Sequence, residues 1–166
     1  KRAEEAEKRS KEVTADLERE TTKNKELRKQ IIAGVVKLSE IEKVRLAILN
    51  EISEKLRSEG IKVEISDNST VLRIPEDTLA FETAKWSIPT KSDQSLGAIG
   101  EAVHDAITKD DRLAFLDTIF IEGHTDSVPL QREMGNWGLS TYRAISVWQH
   151  WGDNSGRGNL LAALKN

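Results

Sequence analysis

Ile119-Phe120-Ile121-Glu122-Gly123-His124-Thr125-Asp126 opens the stretch that decides how this chain folds, and Asn136-Trp137-Gly138-Leu139-Ser140-Thr141-Tyr142-Arg143-Ala144 closes it. An apolar, β-branched run ending at Gly123 predicts a strand. The polar segment holding Pro129 and Gly135 predicts a loop, and Ser140 ahead of an apolar-periodic segment predicts a capped helix. Strand, loop and helix in that order gather polar side chains between the strand's carboxyl end and the helix's amino end. The first N–H groups of a helix lack partners within it, and the peptide dipoles add positive charge there, so anions settle at such a place. With Ser140 as N-cap, Arg143 stands at the third helical position. A cation there is unfavourable by about 0.3–1 kcal/mol if exposed, so an anion is expected close by.

Asp126 is the protein's own candidate for that anion, and two readings of the pair are open. In one, Asp126 and Arg143 form an internal salt bridge that braces the loop. In the other, they present one negative and one positive face to a zwitterionic amino-acid head group, with its ammonium on Asp126 and its carboxylate on Arg143 and the helix end.

Ile121-Glu122-Gly123-His124-Thr125-Asp126, followed by Asn136-x-x-Leu139-Ser140-x-x-Arg143-Ala144, resembles the signature of the OmpA-like C-terminal domain, a peptidoglycan-binding module. Val128-Pro129 after Asp126, and the Trp in Asn136-Trp137-Gly138-Leu139-Ser140, resemble the MotB stator branch, to which the stator-like ZorB proteins of anti-phage systems belong. The resemblance covers roughly residues 61 to 152. It implies that Asp126 and Arg143 hold the diaminopimelate of the cell-wall stem peptide, that Asn136, Leu139 and Ser140 shape the pocket, and that Thr125 adds a hydrogen bond. It also implies a mixed sheet backed by helices, with a closing strand, helix and strand beyond Asn166 that include an Asn-Arg-Arg-type motif. On this reading the chain is an excised piece truncated at its C-terminus. The family often has Gly near position 84, where this chain has Ala84.

With 166 residues, the chain has room for one ordinary domain and an appendage. A net charge of −3 gives no reason to expect nucleic acid as a partner, since its binders usually show a basic patch. No cysteine is present, which removes disulfides and Cys-based zinc or redox motifs without deciding the compartment. No apolar run approaches the ~18 residues of a membrane span, and the resemblance places any anchor before Lys1.

Residues 1–58 read as a helical linker or coiled-coil arm. The first two dozen positions are densely charged, with Glu4–Lys8 and Glu5–Arg9 at the spacing that supports a solvated helix. From Leu27 a stripe runs through Ile31, Gly34, Leu38, Ile41, Ile48 and Ile52, interrupted by Arg45. That is coiled-coil spacing, widened by Ile32, Val35, Val36, Val44, Leu46 and Leu49. The stripe can pair with a second copy or dock on the chain's own globular part. Gly60 predicts the helix end. Residues 61–166 read as the incomplete OmpA-like domain. Ile61–Ile65 and Thr70–Ile74 predict a hairpin about a 66–69 turn, and a helix is expected from about 94 to 109. The 153–158 segment reads as loop, Leu160–Leu164 as a turn or two of helix, and Trp148 and Trp151 as core.

His124-Thr125-Asp126 could suggest an enzyme. A metal hydrolase needs at least three converging ligands, and His104 and His150 show no ligand spacing with it. A Ser-His-Asp centre needs a presented nucleophile, and no Gly-x-Ser-x-Gly elbow occurs. Taken with the resemblance, which implies peptidoglycan binding, the expectation is an α/β (α+β) protein that binds peptidoglycan non-covalently, without metal or cofactor. As a MotB- or ZorB-like unit it would be a periplasmic homodimer, anchored in the inner membrane beside a stator partner subunit, bracing that ion-driven stator against the wall. The alternative is a dimerising coiled-coil scaffold whose globular domain binds a protein partner.

Overall fold

The computed structural model describes residues 1–66, 70–154 and 159–160. Two compact units divide the chain, Lys1–Glu42 and Lys43–Asn166.

The first unit is helical. It is the leading part of α1, Arg2–Ser58. Mixed charges at helical spacing keep it solvated, as in the Lys11–Glu7 pair at 2.7 Å. Val13, Leu17, Leu27, Ile31, Ile32, Val35, Val36 and Leu38 along it are all exposed.

In the second unit α1 changes character. Ile48, Leu49, Ile52 and Leu56 recur at three- and four-residue spacing and are buried. The helix stops at Gly60, whose φ of +75° suits a residue without a Cβ. There the Ile61 N–H reaches back to the Leu56 carbonyl at 2.9 Å and the Gly60 N–H to Arg57 at 3.1 Å, the paired bonds of a Schellman end. Ile61, next to that reversal, packs against the core that contains Leu56.

β1 (Glu64–Ile65) and β2 (Leu72–Arg73) pair antiparallel, Glu64 opposite Arg73 and Ile65 opposite Leu72. The expected hairpin is therefore present but two residues long on each side, and its expected turn at 66–69 lies largely outside the described residues. Next comes α2, Asp93–Thr108, entered through a 3₁₀ turn at Thr90–Ser92. Its Leu96, Ile99, Ala102, Ala106 and Ile107 form the centre of the core with Ile52 and Leu56 of α1 and Val147 and Trp151. Gly100 belongs to this contact, because a Cβ there would stand 2.6 Å from the Trp151 ring. The indole N–H of Trp151 is spent on the Leu96 carbonyl at 2.9 Å.

Three expectations need correcting. The mixed sheet is reduced, among the described residues, to the β1–β2 pair. Residues 119–123, expected as a strand, join no ladder among the described residues, although Ile119 and Ile121 alternate onto the core as a strand's side chains would. What holds this run is packing against a helix and the core rather than ladder bonds. Second, Ser140 does not cap a helix. α3 spans Gly135–Gln149 and continues into a π turn at His150–Asn154, so Ser140 lies inside it and Arg143 is two turns from its start. Gly135, expected in the loop, begins the helix, and Gly138 and Leu139 are buried inside it, where tertiary burial outweighs the weak helix propensity of a glycine. Third, Trp148 is 52% exposed and lies outside the core that takes Trp151. The expected loop at 153–158 and short helix at 160–164 fall mostly outside the described residues.

Candidate functional site

The site is built where the extended 119–126 run crosses α3. Gly123 lies so close to the helix that an added Cβ would collide with the Ser140 carbonyl oxygen and stand 3.0 Å from the Ala144 nitrogen and 3.1 Å from the Arg143 Cβ. Only a residue without a side chain fits. Beyond Gly123 the chain turns into the loop, and the loop is tied to α3 by one side chain. The Asn136 amide donates to the Asp126 carbonyl at 3.0 Å and to the Val128 carbonyl at 2.9 Å, while its oxygen accepts the Leu130 N–H at 3.1 Å. One Asn thus satisfies three backbone groups that a loop would otherwise leave to water.

Arg143 lies half-buried on the same helix and gathers three carbonyls from two separate segments. Its Nη1 donates to His124 at 2.8 Å, its Nε to Lys85 at 3.1 Å and its Nη2 to Glu82 at 3.4 Å. The guanidinium carbon lies 5.0 Å from the centre of the Phe81 ring, a cation–π distance. Ala84, inside the 82–85 turn that supplies two of those carbonyls, holds a φ of +58°. Lys85 closes the turn with an ion pair to Glu82, and the donated Lys85 hydrogen bond holds the Glu82 carboxyl below its ordinary range.

Asp126 is exposed. One of its oxygens accepts the Val128 N–H at 3.1 Å, the short-range bond of an Asx turn. No ion pair joins Asp126 to Arg143 among the described residues, so the internal salt bridge of the first reading is not made. The two groups still belong to one corner, because the His124 carbonyl that Arg143 holds is two residues from Asp126. Three of the five guanidinium N–H groups go to neutral carbonyls, which leaves the positive charge without a carboxylate partner among the described residues.

The other expected site residues are distributed differently. Thr125 is half-buried between His124 and Asp126. Ser140 donates its hydroxyl to the Trp137 carbonyl at 2.9 Å, within its own helix. Leu139 is buried within α3, 6% exposed. His124 is exposed and contributes its backbone carbonyl. No cluster of three or more His, Asp or Glu fit for a metal occurs among the described residues. A groove of about 540 Å³ lined by Ser53, Arg57, Lys62, Glu64 and Asp77 among others shares no residue with this site. Sequence reasoning missed the carbonyls of Glu82, Lys85 and His124 as the Arg143 cradle. Backbone acceptors have no residue signature, and the pointer to that turn in the sequence is Ala84, which stands where the resembling family often has Gly.

Residues 80–159 match the OmpA family. The match supports an OmpA-like domain over that stretch, and it takes in Phe81, Glu82, Lys85, His124, Asp126, Asn136 and Arg143 together. No curated protein and no solved structure matches the chain. No helix of the described residues is long and apolar enough to cross a membrane. In the OmpA-like stretch the chemistry on offer is recognition. An exposed carboxylate, Asp126, lies two residues from the His124 carbonyl that holds the unneutralised Arg143 guanidinium.

Proposed function

We propose that the OmpA-like stretch binds peptidoglycan non-covalently by gripping the diaminopimelate head of a stem peptide, its ammonium on Asp126 and its carboxylate on Arg143. The observation that carries this is the unneutralised Arg143. A half-buried guanidinium held by three carbonyls is fixed in direction but keeps its charge, and a planar carboxylate is the partner its remaining donors fit. Asp126 keeps its second oxygen for an ammonium. Asn136 fixes the loop that carries Asp126, and Thr125 and Ser140 border it. The family match favours peptidoglycan among zwitterion-bearing ligands.

The finer reading places this domain in the periplasm as the wall anchor of a MotB- or ZorB-like stator unit, held in the inner membrane and working as a homodimer. The exposed stripe of α1 favours the pairing, since Leu27, Ile31 and Leu38 keep 46–66% of their surface open at coiled-coil spacing. The same stripe supports the second reading, a dimerising scaffold whose globular part binds a protein.

Cosedimentation with purified sacculi separates the two. The wall anchor requires the wild-type protein to pellet with sacculi and Asp126→Ala or Arg143→Ala to stay largely in the supernatant. Equal pelleting of all three, or none by the wild type, leaves only the scaffold.

A further inference from the structure

Directly beside the Arg143 cradle lies an aromatic shelf that the stem-peptide grip does not use. The Trp86 and Tyr142 rings are 5.1 Å apart between centres and tilted by 33°, and the Arg132 guanidinium carbon lies 5.3 Å from the Trp86 ring centre. Both aromatic residues adjoin the clamp in sequence. Lys85, whose carbonyl Arg143 holds at 3.1 Å, precedes Trp86, and Tyr142 precedes Arg143. That hydrogen bond joins the segment carrying Trp86 to the helical turn carrying Tyr142. Arg132 braces the arrangement by donating to the Ala84 carbonyl at 3.4 Å.

We propose that Trp86 and Tyr142 form a saccharide subsite, which stacks an amino-sugar ring of the glycan to which the gripped stem peptide is attached. This rests on the stem-peptide reading and extends it from the peptide to the sugar. Both rings keep an open face, Trp86 at 40% and Tyr142 at 50% exposure. A sugar ring has an apolar C–H face and a polar rim, and the shelf has the complementary form of flat aromatic surface edged by an indole N–H, a phenol and the Arg132 guanidinium. Trp137 is more open, at 82%, but makes no ring contact among the described residues and has nothing to hold its plane. Trp86 and Tyr142 hold each other, so less side-chain freedom is lost when a ligand settles on them.

The test compares two probes by titration calorimetry on the full chain, a disaccharide-bearing peptidoglycan fragment with diaminopimelate in its peptide, and the same peptide freed of sugar. Wild type should bind the sugar-bearing fragment several-fold to about ten-fold more tightly, the range an aromatic stacking contact provides. Trp86→Ala should abolish that difference while leaving the free peptide's affinity unchanged, and Trp86→Phe should keep part of it. If wild type binds both probes equally, or if Trp86→Ala weakens both alike, the subsite is overturned and the stem-peptide grip stands. If wild type binds neither probe, both readings fall.

Discussion

The Arg143 Nη1 donates to the His124 carbonyl oxygen at 2.8 Å, while Arg143 makes no ion pair with Asp126, two residues further along, among the described residues. The guanidinium is thus placed by neutral oxygens. A carboxylate partner would have fixed it equally well but cancelled its charge, and the site would then have had little to offer an anion.

Replacing Arg143 by Lys tests whether direction or charge matters. Lysine keeps the charge but cannot span three carbonyls drawn from two segments. Arg143→Lys should therefore lose most sacculus binding, by about ten-fold or more, and lower the stability by roughly 1–3 kcal/mol in urea unfolding. Binding within two-fold of wild type would mean that a point charge suffices.

Gly123→Ala forces a methyl group into the Ser140 carbonyl oxygen. Both the extended run and α3 are backbone at this point, and neither can move aside as a flexible side chain would. A loss of about 1–3 kcal/mol is expected, with weaker sacculus binding because Asp126 and Arg143 are then spread apart. Unchanged unfolding midpoints would show that the two segments do not touch as described.

Ala84→Gly should act in the opposite direction. Alanine at a φ of +58° pays a steric cost of about 1–2 kcal/mol, partly offset in the glycine variant by the extra freedom of its unfolded chain. The net gain is up to about 1 kcal/mol, or a few degrees in Tm for a domain of this size. Calorimetry reads it directly, and a lower Tm would contradict it.

Acid should weaken the protein partly through Glu51. Lys109 at 3.0 Å and Arg112 at 2.8 Å donate to its two oxygens, and these hydrogen bonds, Lys109's first, hold its carboxyl below the ordinary glutamate range. A carboxyl whose folded pKa is depressed stabilises fully above its unfolded pKa, and that contribution disappears as pH falls through the folded value. Because Glu51 is 37% exposed at the side chain, solvent screening keeps the effect below about 1 kcal/mol. Glu51→Gln should flatten the acid limb of a stability–pH curve measured by urea unfolding, and an unaltered limb would assign the dependence to other carboxylates.

Much of the framework was legible in the chain itself. The 119–144 stretch pointed to Asp126, Asn136 and Arg143 through its resemblance to the OmpA-like signature, while three- and four-residue apolar spacing located α1 and α2 and Gly60 located the end of α1. These are local signals, carried by periodicity and by residues with special backbone freedom. The start of α3, the open state of the Asp126–Arg143 pair and the partners of Arg143 were decided only in three dimensions. Residue type could not show that Gly138 would be helical, because burial beside Leu139 outweighed its propensity. Nor could it reveal the Arg143 cradle, since carbonyl oxygens are the same at every position and only the folded path of residues 82–85 and 124 brings three of them to one guanidinium.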